Sequence, residues 1–150
     1  MYTLPEGITV QRLEGNRDLT ECRNIRRTVF IDEQKVTEGE EWDGLDSFFT
    51  HFLLKEKGKV VGTARVKINA MNEAKLGRLA LLQEARGKGL GKVFMEWLLD
   101  DIKKVDKNLK IVKISAQTSV LPFYEKLGFV KTGNEYMEAN IPHYAMTWTP

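Results

Sequence analysis

Leu79-Ala80-Leu81-Leu82-Gln83-Glu84-Ala85-Arg86-Gly87-Lys88-Gly89-Leu90-Gly91-Lys92 runs from an apolar stretch through a short polar turn into a basic, glycine-rich loop. Beyond it the apolar period changes. Leu90, Val93, Phe94, Trp97, Leu98, Ile102 and Val105 recur at three- and four-residue steps, which predicts an amphipathic helix of about four turns. Lys92, Glu96, Asp100 and Lys103 occupy its other side. A strand thus feeds a loop that opens a helix, and this is the context an anion cradle requires. The first N–H groups of a helix lack internal partners and carry partial positive charge. Glycines 87, 89 and 91 let the backbone curl closely and adopt positive φ, while Arg86, Lys88 and Lys92 add side-chain charge.

Working outward, Ile8–Leu13 alternates apolar and polar residues and reads as a first strand. Gly15-Asn16 ends it, and Asn16 or Asp18 is placed to cap a helix carrying Leu19, Cys22, Ile25 and Val29 inward. Arg23, Arg26 and Arg27 then fall on its other faces as surface charges. Residues 32–47 are acidic and turn-prone and predict a loop or a broken short helix. Residues 48–55 and 60–68 are strand-like and joined by Glu56-Lys57-Gly58-Lys59, a hairpin signal. Residues 74–82 form a further strand.

After the long helix, residues 109–117 alternate as a strand, with Ile111 and Lys113 on one face and Val112 and Ile114 on the other. Residues 119–127 read as a short helix, with Ser119 as cap, Pro122 in the first turn and Gly128 at the C-terminal end. Residues 129–132 and 144–148 supply two last strands, with 134–143 as a loop between them. The order predicts a single α/β domain over residues 1–150: three antiparallel-looking strands ahead of a strand–loop–helix–strand–helix unit.

Composition bounds the function. A 42% hydrophobic and 29% charged sequence of 150 residues suits one soluble globular domain. Its 23 basic residues nearly balance 21 acidic ones, which argues against nucleic acid as a partner. Lys103, Lys104, Lys107, Lys110 and Lys113 do not change this, because Asp100, Asp101 and Asp106 interrupt them. Cys22 is the only cysteine, so neither an intrachain disulfide nor a thiolate metal cluster can form, and no metal is expected. With no apolar run of signal-peptide or membrane-spanning length, the chain reads as soluble and cytoplasmic, with no membrane partner.

Three spacings compete for the loop. A P-loop needs a glycine five residues before its Gly-Lys pair and then Ser or Thr, but Arg86 holds the first position and Val93 follows Gly91-Lys92. The dinucleotide fingerprint fails because its third glycine would fall on Lys92 or Phe94. Arg-x-x-Gly-x-Gly fits at Arg86, Gly89 and Gly91. Three glycines that merely loosen a helix entry are the plain alternative, and the flanking strand and helix weigh against it.

On these residues the sequence resembles the GCN5-related N-acetyltransferase superfamily. Gly77-Arg78-Leu79-Ala80-Leu81 followed by Arg86 to Gly91 looks like its acetyl-CoA motif. Val120-Leu121-Pro122-Phe123-Tyr124-Glu125-Lys126-Leu127-Gly128-Phe129 is similar to its C-terminal Phe-Tyr-x-Lys-x-Gly-Phe segment. Arg27, Val29-Phe30, Glu33-Gln34 and Asn140-Ile141-Pro142-His143 resemble the ElaA-like branch. The resemblance implies a three-layer fold with a mixed, splayed sheet and acetyl-CoA as co-substrate. It implies that Leu79, Ala80 and Leu81 lend backbone groups to the pantetheine arm. The pyrophosphate would sit on Arg86, Gly87, Lys88, Gly89, Leu90, Gly91 and Lys92, with Phe123 and Tyr124 flanking the cofactor. The acetyl thioester would occupy a slot between the strands at 77–82 and 109–117.

Acetyl transfer to an amine needs a base for the amine proton, donors for the oxyanion, and a proton for the departing thiolate. The resemblance assigns Tyr124 as the acid, and its plain alternative is a half-buried tyrosine packed under the cofactor. The backbone N–H of Leu81, or of a neighbour, is the expected oxyanion donor. The base is open between His143, which can titrate near neutrality, and Glu33. His51 is a third candidate if it faces the slot, and a water chain or deprotonation in bulk needs no base at all. Glu38, Glu40, Glu41, Asp43 and Asp46 read as a solvated loop, with attraction of a cationic amine as the alternative. Phe48, Phe49, Phe52, Trp97 and Phe123 read as core. A small-molecule amine is the expected acceptor; the assembly is open, with a homodimer suggested by the resemblance because dimers are common in the superfamily. A non-catalytic acyl-CoA-binding domain and a protein N-terminal or lysine acetyltransferase are the rival readings.

Overall fold

The computed structural model describes residues 2–150. Seven strands form one sheet: β1 (Ile8–Leu13), β2 (Thr50–Glu56), β3 (Lys59–Ile68), β4 (Glu73–Leu81), β5 (Ile111–Gln117), β6 (Val130–Glu138) and β7 (Ile141–Trp148). Their spatial order is β1-β2-β3-β4-β5-β7-β6. Neighbours are antiparallel except β4 and β5, which are parallel. Parallel neighbours need a crossover, and α3 (Leu90–Val105) supplies it. The other helices are α1 (Thr20–Arg26), α2 (Glu38–Glu41) and α4 (Leu121–Lys126). This is a mixed α/β sheet with helices on both faces, as expected.

Each layer has its own apolar contact set. α3 packs Phe94, Met95, Leu98 and Ile102 against Phe52, Leu54, Leu76 and Val112, all buried in the main core. On the opposite face of the sheet α1 sets Cys22 against Leu53 and Ile25 against Ala80. Burying an aliphatic or aromatic side chain of this size contributes about 1.5–3 kcal/mol. Val105 was expected on the inner face of α3 but is 57% exposed at its last turn.

Several local expectations are corrected. Asp18 is not the cap residue itself. Leu19 holds that position, while the Asp18 carboxylate accepts from the Thr20 N–H at 2.9 Å just inside the helix. Ser119 does not cap α4; Val120, the last residue of a 3₁₀ turn at Thr118–Val120, holds the N-cap position. Phe48 is 64% exposed in a 3₁₀ turn, so it is neither core nor strand. The loop expected at 134–143 is a β6–β7 hairpin. Ala139 and Asn140, with φ of 51° and 61°, make its two-residue turn between the Glu138–Ile141 pair, a backbone twist that matches the flanking strands. β6 is exposed along its whole length, so no buried face imposed a two-residue period on its sequence.

Gly15 joins β1 to the rest of the domain by close backbone contact. A β-carbon there would lie 2.5, 2.6 and 2.7 Å from the carbonyl oxygens of Ser47, Phe49 and Asp46. Backbone cannot rotate away as a flexible side chain can. Gly15→Ala is therefore expected to cost about 1–3 kcal/mol of stability, measured as a lower urea midpoint at unchanged slope.

Candidate active site

β4 and β5 are paired only at Glu73–Ile111, Ala74–Val112 and Lys75–Lys113. Beyond Lys75 they separate, and Gly77–Leu81 leaves one side of its backbone without a strand partner. A slot opens between Gly77–Leu81 and Ser115–Gln117. The Leu82 N–H still donates to the Val61 carbonyl of β3 at 2.8 Å. By the alternation of an antiparallel ladder, Ala80 also faces β3, while Leu79 and Leu81 turn their N–H and C=O groups to the slot.

The glycine loop closes one end of this slot. Gly87 and Gly89 have φ of 78° and 81°, and Gly89 is the left-handed residue that starts α3. Gly91 lies against the Phe123 ring, which a β-carbon would meet at 3.4 Å. The Arg86 guanidinium folds back onto the Leu81 carbonyl at 2.8 and 3.0 Å and pairs with Glu33 at 2.8 Å. Lys88 pairs with Glu56 at 2.9 Å, and Lys92 is exposed. Arg86 and Lys88 thus tie the loop to its neighbours, and no side chain caps the start of α3.

On the far side, α4 places Tyr124 edge-to-face with Phe123 (5.0 Å) and Phe129 (5.8 Å). Burial pushes its phenol up from 10.0 to about 12, so it remains protonated throughout the neutral range and can only give a proton.

After α1 the chain continues as a π-helical segment, Arg27–Glu33, closed by Gln34 N–H to the Val29 carbonyl at 3.2 Å. The wider turn delivers Glu33 to Arg86 and Gln34 to Gln117 of β5, whose amide donates at 2.8 Å. Gln34 therefore meets the β5 side of the slot while its neighbour Glu33 meets Arg86, a contact that no local sequence signal announced. His143, on β7, is in register with Gln117 on one side and Tyr136 on the other. It is 6% exposed, and its Nδ1 donates to the Ile141 carbonyl at 2.6 Å. That bond leaves Nε2 to face Glu138 at 3.5 Å, with the ring stacked on Tyr136. Glu33 thus reaches the Arg86 end of the slot, while Tyr124 lies on α4 and His143 on β7 beside Gln117.

His51 does not face the slot. It is 1% exposed, with Nε2 2.8 Å from the Asp46 carbonyl oxygen, and burial, partly offset by Asp46, lowers its pKa. The acidic loop is likewise not simply solvated, nor is Arg26 a surface charge. Arg26, 1% exposed, donates to Glu41 at 2.8 Å and Asp46 at 2.7 Å. Arg65 bonds Asp43 at 2.6 Å and Asp46 at 2.9 Å, and Arg78 Nε lies 3.0 Å from Glu41. Three guanidinium groups and three carboxylates neutralise one another beneath β4. Arg23 and Arg27 do stay exposed, as expected.

The sequence profile of the acetyltransferase (GNAT) domain matches residues 21–150. The chain belongs to the GNAT acetyltransferases. It is 38% identical to Bacillus subtilis YyaT over 143 residues, 93% of this chain and 95% of that protein. Among solved structures it is similar to an acyl-CoA N-acyltransferase from Pseudomonas aeruginosa, with TM-score 0.83, 27% identity, and 95% and 99% of the two chains covered. It is also similar to Escherichia coli ElaA, with TM-score 0.83, 25% identity, and 94% and 99% covered. The expected fold and acyltransferase class therefore hold for this GNAT chain. Among the described residues no helix is long and apolar enough to cross a membrane.

Proposed function

We propose that this GNAT acyltransferase moves the acetyl group of acetyl-CoA to a primary amine by direct attack within a ternary complex. The observation that carries the reading is the parting of β4 from β5 after Lys75, at a slot that ends on the Arg86–Gly91 loop. Leu79, Ala80 and Leu81 border it, and the outward N–H groups of Leu79 and Leu81 and the C=O of Leu79 suit the amides of a pantetheine arm, the Leu81 C=O being held by Arg86. Arg86, Gly87, Lys88, Gly89, Leu90, Gly91 and Lys92 suit a pyrophosphate, and Phe123 and Tyr124 flank it.

In the reaction the amine lone pair forms a bond to the thioester carbonyl carbon, and the oxyanion takes the Leu81 N–H. The C–S bond then breaks, the Tyr124 phenol protonates the departing thiolate, and the amine's surplus proton goes to a base. His143 suits this better than Glu33. Its Nδ1–H bond to Ile141 makes Nε2 the nitrogen that would take a proton, with the Glu138 carboxylate 3.5 Å away to stabilise the cation, whereas Glu33 is held by Arg86. A small-molecule acceptor is the favoured class, a reading supported by the Gln34–Gln117 bond at the β5 side of the slot. A cytoplasmic location fits the buried lone Cys22, and a homodimer fits the exposed Val130 and Met137 of β6.

Free-thiol release with acetyl-CoA across a panel of polyamines, amino sugars, amino acids and peptides tests the reading. Amine-dependent release is the expected result. Tight acetyl-CoA binding with no release for any amine would instead mark a non-catalytic binding domain, and release with peptides alone would mark a protein acetyltransferase. Gly89→Ala puts a β-carbon on a left-handed residue at about 1–2 kcal/mol and should weaken CoA binding roughly tenfold, read by calorimetry.

A further inference from the structure

Arg78 is the one non-glycine residue inside β4 with left-handed backbone, φ 52°. It stands where the β3–β4 register breaks. From Thr63–Ala80 to Arg65–Gly77, β3 advances two residues and β4 three. That extra residue is a bulge, and a bulge reverses which residues of a strand face which way. The reversal is visible in the side chains: Leu76 packs into the α3 core, while Ala80, of the same parity, packs on Ile25 and Val29 of the opposite layer. The backbone groups reverse with them. The bulge thus decides that Leu79 and Leu81 turn their amides to the slot.

A β-carbon disfavours left-handed backbone, so something must hold Arg78 there. Its guanidinium reaches away from the slot to Glu41, with Nε 3.0 Å from Oε2 and a second nitrogen donating to the Glu41 carbonyl at 3.2 Å. Glu41 is 3% exposed and is fixed in turn by Arg26 at 2.8 Å. Asp43 meets the same guanidinium at 3.4 Å and is fixed by Arg65.

We infer that Arg78 is a positioning residue, clamped by Glu41 and Asp43 so that its left-handed backbone aims the Leu79 and Leu81 amides into the slot. The cofactor arm of the test rests on the function proposed above, whereas the backbone arm does not. Arg78→Ala removes the clamp and keeps a β-carbon. Arg78→Gly removes the clamp but adopts positive φ freely. Both lose the same ion pairs with Glu41 and Asp43, so the two differ only in the β-carbon's resistance to left-handed backbone. A purely structural role predicts a difference in melting temperature with the same exchange pattern at amides 79–82.

The experiment compares hydrogen exchange of amides 79–82, CoA affinity and turnover in the wild type and both variants. In the wild type and Arg78→Gly, amides 80 and 82 should be protected and 79 and 81 open, with CoA affinity within about threefold. Arg78→Ala should lose the alternation and at least tenfold in affinity and in kcat. Glu41→Gln should behave like Arg78→Ala and be rescued by adding Arg78→Gly. Identical exchange patterns in the alanine and glycine variants would overturn the inference even if the wild type were an active transferase. An inactive wild type with the expected exchange differences would overturn the proposed function alone.

Discussion

Tyr124→Phe should lower kcat by about 10²–10⁴-fold, the usual range for removing a positioned general acid, while leaving acetyl-CoA affinity within about twofold. The ring stays, so the edge-to-face contacts with Phe123 and Phe129 survive. Only the proton is lost. Because burial holds the phenol near 12, the wild-type rate should show no alkaline fall from this residue below about pH 11. Paired calorimetry and free-thiol release measure both quantities. Full turnover in the phenylalanine variant would reduce Tyr124 to a packing residue beneath the cofactor.

Arg26→Ala should cost about 3–5 kcal/mol of stability, because it leaves Glu41 and Asp46 buried without their shared partner. That is a large part of the 5–15 kcal/mol typical of a domain, so the variant should unfold at a much lower urea concentration. The same network sets an acid limit. Hydrogen bonds from Arg65, working against burial, hold the Asp43 carboxyl well below the usual carboxylate range. Burial pushes Asp46 up, but the bond from Arg26, its charge and the bond from Arg65 bring it down overall.

For groups whose folded-state pKa is depressed, the unfolded chain binds protons first as pH falls. The stabilisation is therefore complete above about pH 4, near the unfolded value, and is lost progressively below it. Unfolding free energies measured between pH 7 and pH 3 should be level at first and then decline. In Arg26→Ala the Asp46 contribution to that decline should shrink, and an unchanged slope would show that the pairing does not carry it.

The slot was legible because its parts are local. Leu79–Leu82, the glycines at 87, 89 and 91, and the apolar steps from Leu90 to Ile102 each report on backbone within a few residues. Tyr124 was legible through its segment with Pro122, Gly128 and Phe129. His143 was singled out while its segment was read as a loop. Its strand could not be seen because β6, exposed along its length, carries no apolar alternation and turns on Ala139 rather than a glycine.

Side-chain period and glycine placement determined the α/β order, the phosphate-type loop and the crossover helix, because backbone preference and one-sided burial act over a few residues. The tertiary structure alone decided which charges are buried. Arg26 meets Glu41 across 15 positions, Arg65 meets Asp46 across 19, and Arg78 meets the Glu41 carbonyl across 37. A guanidinium is read as surface until a distant carboxylate makes its burial affordable. The bulge at Arg78 belongs to the same class, since an arginine enters left-handed backbone only when contacts from another layer hold it there.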